Sequence, residues 1–227
     1  MQYEILDSPD FAVVRVTLDA GEKIVSESGA MVAMDTGLDL ETSMRGGLLA
    51  AAKRKLLGGE SLFQNTYTAK SNGQRIFFAP PTEGDVRARQ LADGEVFFMQ
   101  SGAYVAHYGG DLKLDTKWGG VKGFFSGTGL FLIKITGPGL VFYSSYGAIH
   151  EVALNGAGYT VDTGHIVGFT EGVNYSVRAF GGFKGLFFSG EGLVADFDGT
   201  GQVFLQTRNA QSLAAFLHPF RPVKSKG

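Results

Sequence analysis

Apolar residues in this chain are grouped into short β-branched and alternating runs, with helical periodicity confined to two places. Phe11–Leu18, carrying Val13, Val14, Val16 and Leu18, reads as a strand, and Ile24–Val25 and Met31–Val32 continue the pattern as far as Gly37. Ser61–Ala69 and Arg75–Ala79 read as two more strands, and Lys70-Ser71-Asn72-Gly73 between them predicts a hairpin. Leu130–Ile135 is apolar at positions that point both ways, which predicts a strand covered on both sides. Leu193–Asp198 alternates instead and predicts one polar face. Contact with another subunit is the expected cause of that difference. The helical stretches are Leu48–Leu57, rich in Leu, Ala and Lys between two Gly-Gly pairs, and Ala210–Leu217, preceded by Asn209 and followed by Pro219.

The apolar runs are held in a frame of glycines that occurs three times. Gly29, Gly37 and Gly46-Gly47 recur as Gly102, Gly110 and Gly119-Gly120, and again as Gly164, Gly172 and Gly181-Gly182, with 8 and 17 positions from the first glycine each time. A valine stands three residues after the first glycine in every copy, at Val32, Val105 and Val167. Ile76-Phe77-Phe78, Val141-Phe142-Tyr143 and Val203-Phe204-Leu205 close the copies. Glycine at fixed offsets marks backbone geometry, either a positive φ or a close approach of chains. The chain therefore reads as a single all-β body of three tandem sandwich-like or barrel-like repeats, 1–81, 82–144 and 145–208, followed by a C-terminal helix and tail over 209–227. The first repeat is predicted to carry the Leu48–Leu57 helix as an insert.

Composition narrows the function classes. Glycine stands at 34 of 227 residues, yet 19 phenylalanines exclude a disordered chain. With 20 basic and 22 acidic residues, net charge −2, no overall field draws the protein to nucleic acid or to an anionic membrane. The lack of cysteine removes disulfides, thiolate nucleophiles and sulfur-bound zinc. No basic segment followed by an apolar core opens the sequence, and the longest uncharged run is broken by glycine and proline, so a cytoplasmic protein is expected.

Catalytic patterns are absent. None of the Gly-x-Gly triplets continues to the dinucleotide fingerprint, and neither a Walker sequence nor a Gly-x-Ser-x-Gly elbow occurs. No His-x-His pair offers a barrel metal site, although Asp162 with His165 and His150 with Glu151 form two short-range pairs. A non-enzymatic protein without cofactor or metal is expected. The residues that stand out for contact with a partner or membrane are Leu48, Leu49, Lys53, Arg54, Lys55 and Leu56, a basic amphipathic segment able to lie in an anionic interface or to cap one end of the β body.

Several stretches resemble a known family. Gly46-Gly47-Leu48-Leu49 with Lys53 to Phe63, Ile135 to Leu140, Tyr146-Gly147-Ala148-Ile149, Val161 to His165 and Val203 to Arg208 are similar to the bacterial and archaeal relatives of the mitochondrial-biogenesis protein called altered inheritance of mitochondria twenty-four. The resemblance implies three units with a fold similar to the tryptophan RNA-binding attenuator protein, assembled as homo-oligomers, with the trimer favoured. It implies no established activity in prokaryotes; the mitochondrial relative is tied to inner-membrane organisation. No Lys-Lys-Arg cluster recurs in the three copies for RNA, and no residue places tryptophan binding. The expected role is a non-enzymatic oligomeric scaffold or interaction protein, with a peripheral membrane or protein partner. A small-ligand-binding β-barrel is the alternative, and an RNA-binding ring the third.

Overall fold

The computed structural model describes residues 1–44, 63–115, 132–180 and 193–221, and the strands in it are antiparallel throughout. β1 (Gln2–Leu6) precedes three sets of strands. The first set is β2 (Val13–Leu18), β3 (Lys23–Glu27), β4 (Met31–Met34), β5 (Asp39–Met44), β6 (Phe63–Thr68) and β7 (Gln74–Phe78). The second is β8 (Val86–Leu91), β9 (Val96–Gln100), β10 (Tyr104–Tyr108), β11 (Lys113–Asp115), β12 (Leu132–Thr136) and β13 (Gly139–Ser144). The third is β14 (Ile149–Asn155), β15 (Tyr159–Asp162), β16 (Ile166–Thr170), β17 (Val173–Ala179) and the long β18 (Leu193–Gln206). Helix α1 (Ala210–Leu217) follows β18 and leads into a 3-10 turn over His218–Phe220, with the Asn209 side chain accepting from the amides of Gln211 and Ser212.

One pairing scheme serves all three sets. In the first, β2 and β4 flank β7 while β3 and β5 flank β6; in the second, β8 and β10 flank β13 while β9 and β11 flank β12. In the third, β18 does both jobs, its first half between β15 and β17 and its second between β14 and β16. Gly199, at φ 94°, and Gly201 stand where β18 changes sheets, packed against Gly172 and Thr170 with no room for a Cβ.

The sets are welded edge to edge. β10 pairs with β3 through Ala106↔Ser26 and His107↔Val25, and β16 pairs with β9 through Gly168↔Met99 and Phe169↔Phe98. Among the described residues three cores result, each fed from two sets. Val105, Leu140 and Phe142 join Val14, Ile24 and Tyr67, for example, and Val167 and Phe204 join Phe97 and Ile135. The connecting segments are tied as well, by Ala12 N donating to Gly84 O at 3.0 Å and Asp85 N donating to Gly147 O at 3.1 Å.

Three expectations need correction. The segment Lys70–Gly73 does not close a hairpin, because β6 and β7 lie in different sheets and never pair. It is a corner between sheets, built by the Gln74 side chain, which accepts from the Lys70 and Ser71 amides and donates to Thr36 O. The two apolar faces of β12 need no second subunit either. Leu132 points into one core with Phe98, while Ile133 and Ile135 point into another with Phe97 and Met99. The glycine frame does not make the same turn three times: Gly29 adopts φ 95°, whereas Gly164 sits in a 3-10 turn at ordinary φ and is glycine because Asn209 occupies the space of a Cβ. β1, a strand that the apolar pattern did not suggest, adds to β2 in register from Gln2↔Thr17 to Leu6↔Val13.

Gly168 tests the weld between β9 and β16. A Cβ there would lie 2.5 Å from the Phe98 carbonyl oxygen, so strand and neighbour must part. Gly168→Ala is expected to destabilise the fold by about 1–3 kcal/mol, seen as a lower urea midpoint with an unchanged slope. An unchanged midpoint would show that the weld yields freely.

Candidate functional site

The basic segment Leu48, Leu49, Lys53, Arg54, Lys55 and Leu56 lies outside the described residues. It falls between β5 and β6, which pair up to Met44↔Phe63. Of the other side chains that could carry chemistry, Asp162, His165 and Glu151 are occupied locally and His150 is exposed. The Asp162 carboxylate accepts from the Gly164 amide at 2.8 Å, and His165 Nδ1 lies 2.7 Å from the Gln206 carbonyl. Arg87 bridges Asp85 and Glu151, which keeps Glu151 turned to the arginine beside it. Asp162 with His165 and His150 with Glu151 are not brought together into one site. Among the described residues, no group of three His, Cys, Asp or Glu side chains could hold a metal ion.

Four further arginines are held by carboxylates in the same way. Arg15 meets Glu4, Arg75 meets Asp35, Arg89 meets Glu95 and Arg178 meets Asp196. Arg89 also lies over the rings of Phe97 and Phe204, 5.2 and 5.9 Å from their centroids, so its charge is spent inside the fold. A groove for a phosphate backbone needs basic side chains aligned and unpaired, and these five are dispersed and paired.

Polar groups concentrate instead where β3 meets β10. Tyr104 Oη donates to Val25 O at 3.2 Å and lies 2.7 Å from His107 Nδ1, with both side chains buried. A cleft of about 300 Å³ opens beside this weld, lined by Glu27, Gly29, Pro80, Pro81, Gly102 and Tyr104 among others. On the far side of the same weld, Tyr108 Oη donates to Glu22 at 2.7 Å, and the Asp19 amide and Met1 ammonium donate to the same carboxylate. Burial alone would raise the Glu22 carboxyl; these three donors together bring it down to about 2. Accepting the Tyr108 proton also holds that phenol above its ordinary value.

Apolar surface is concentrated on two elements. All of β4 is exposed, with Met31 at 37%, Val32 at 59% and Met34 at 38%. On α1 and the turn after it, Leu213, Phe216, Leu217 and Phe220 are exposed and none of the helix is buried. The sequence gives no sign that β4 differs from its sisters: Met31-Val32-Ala33-Met34 is as apolar as Tyr104-Val105-Ala106-His107 or Ile166-Val167-Gly168-Phe169. The hydrophobic stripe of the last helix was readable; its lack of cover was not. Among the described residues no helix is long and apolar enough to cross a membrane.

Comparison with known proteins gives consistent neighbours. A model of the family described as mitochondrial biogenesis AIM24 matches residues 3–208. An uncharacterized protein of Streptococcus pyogenes serotype M6 is 28% identical over 233 residues, covering 99% of this chain and 93% of the relative. A crystal structure of a Streptococcus pyogenes protein superposes with a TM-score of 0.79 at 25% identity, covering 97% of this chain and 99% of the other.

The Glu22 cluster gives a pH prediction. Its folded pKa of about 2 lies below the ordinary 4.5, so its stabilisation is complete above that value and is lost as pH falls towards 2. Glu22→Gln is expected to cost about 1–3 kcal/mol at pH 7. The deficit relative to the parent should shrink between pH 4.5 and 2 in parallel chemical-denaturation series. A constant deficit across that range would show that the carboxylate charge is not what matters.

Proposed function

This chain belongs to the mitochondrial biogenesis AIM24 family, and from that premise we propose that it is a non-enzymatic, cytoplasmic scaffold that assembles with copies of itself and works against a membrane surface. In this reading the body is three tandem modules, 1–81, 82–144 and 145–208, and the assembly is a trimer, the number that the family resemblance implies. The observation that carries the reading is apolar surface held on ordered elements, Met31, Val32 and Met34 on β4 and Phe216 and Phe220 at the C-terminal helix. Exposed apolar groups of that kind mark contact sites, while Asp162 and His165 are turned towards backbone neighbours and Glu151 towards Arg87. The membrane part rests on Leu48, Leu49, Lys53, Arg54, Lys55 and Leu56, whose cluster of three bases between leucines suits an anionic interface.

A second reading, small-ligand binding, is favoured by the cleft of about 300 Å³ beside the β3–β10 weld, at the lower end of ligand-sized cavities. An RNA-binding ring draws no support from the paired arginines.

Native mass spectrometry of freshly purified protein separates these readings: an oligomer of bare chains is expected, a monomeric mass removes the scaffold, and an added small mass supports the ligand. Flotation with vesicles containing phosphatidylserine addresses the membrane. The parent protein is expected to float with them and to stay behind with neutral vesicles, while Lys53→Glu/Arg54→Glu/Lys55→Glu remains in solution. Equal behaviour of the two proteins removes the membrane contact.

A further inference from the structure

We propose that β4 of one copy pairs antiparallel with β15 of a second copy, in the register Met34↔Thr160 and Ala33↔Val161, so that copies join head to tail. The proposal rests on the homo-oligomeric part of the reading above and names the surfaces that make it.

Within the chain the same joint is made twice. The third strand of one set pairs with the second strand of the set before it: β10 with β3, and β16 with β9. Counting from the first glycine of the frame, the pairs coincide. His107 and Phe169 stand five residues after Gly102 and Gly164, and their partners Val25 and Phe98 stand four residues before Gly29 and Gly102. Continuing that count past the ends of the chain leaves one strand of each kind without its partner. They are β4, whose sisters are β10 and β16, and β15, whose sisters are β3 and β9. Among the described residues β4 pairs only with β7, and β15 only with β18. β5, β11 and β17 stand at an edge in all three sets, and β8 and β14 lack only the cover that the N-terminal β1 gives their sister β2; among the described residues β4 and β15 are the edges left open where the sister strands pair with a neighbouring set.

β4 is shaped for such a joint. Its pairing with β7 skips Val32, as the sister pairings skip Val105 and Val167, so the same bulge is present before any neighbour arrives. The residue after the bulge is small in each case, Ala33, Ala106 and Gly168, which lets the facing strand approach. The sister valines are 2% and 0% exposed, each in a core shared between sets, while Val32 is 59% exposed. No charge, lysine or proline blunts Met31–Met34, although edge strands that stay single are commonly guarded by such residues. The two edges differ, so their union is heterologous: it closes into a ring if the rotation between copies permits, and otherwise runs on as a filament.

The natural absence of cysteine makes a direct test possible. Met34→Cys and Thr160→Cys are prepared as separate proteins, both positions being exposed in the single chain. Facing residues of an antiparallel pair are about 4.5–5.5 Å apart at Cα, within the span of a disulfide. Each variant is oxidised alone and after mixing under conditions that allow exchange of subunits. The expected result is a disulfide-linked dimer in the mixture only, lost when Met34→Cys also carries Ala33→Pro. Dimers from either variant alone would show like edges meeting and would overturn the head-to-tail joint. A mixture without dimers, while native mass spectrometry of the variants still finds oligomers, would overturn the joint and leave the scaffold standing. Monomeric parent protein would remove both.

Discussion

An open strand edge is a row of amides and carbonyls that must be met by another strand or by water, and the arrangement of this molecule follows from how its edges are met. Each set of strands is too small to bury its own apolar face. Val105 and Phe142 complete a core that Ile24 and Tyr67 begin, and Val167 and Phe204 complete one begun by Phe97. Hydrogen bonding along the β3–β10 and β9–β16 edges and packing beneath them are therefore a single event. A break in either would expose both polar backbone and apolar side chains, which is why buried groups such as Tyr104 and His107 can be spent on the joint itself.

Much of the fold was legible because its determinants are local. β-branched runs gave β2, β3 and β4, the alternation of β18 from Ala195 to Asp198 appears in the structure, and Asn209 caps the last helix with both hydrogen bonds in place. The glycine frame marked corresponding places but concealed different reasons for glycine. At Gly29 the backbone demands it, at Gly164 the neighbouring Asn209 does, and spacing alone cannot distinguish the two. The turn at Lys70–Gly73 has the composition of a hairpin yet redirects the chain between sheets, since pairing depends on partners 56 to 64 residues away in sequence, as with β2 for β7. Long-range partnership also explains β12, whose two apolar faces are covered by its own chain.

The candidate surface was less legible still, for a physical reason. Whether Met31–Met34 is core or surface is decided by the presence of an adjoining strand, and its residues are suited to either state. Exposure at β4 belongs to its rank in the series rather than to its composition. The Glu22 cluster was equally hidden: the carboxylate gathers donors from Asp19, Met1 and Tyr108, and the last of these is 86 residues away.

The third set differs from the others in one respect that bears on growth of such a body. In the first two, a corner separates the strand that serves one sheet from the strand that serves the other; in the third, β18 runs unbroken through both. Bending at Gly199 and Gly201 thereby fixes the angle between the two sheets in the third set through covalent backbone. If chains add end to end, curvature at that position is written into one continuous strand, and the number of chains needed to complete a circle is a property of this bend and of the corners at Lys70–Gly73 and Gly137–Pro138, rather than of the adhesive strength of the contacts.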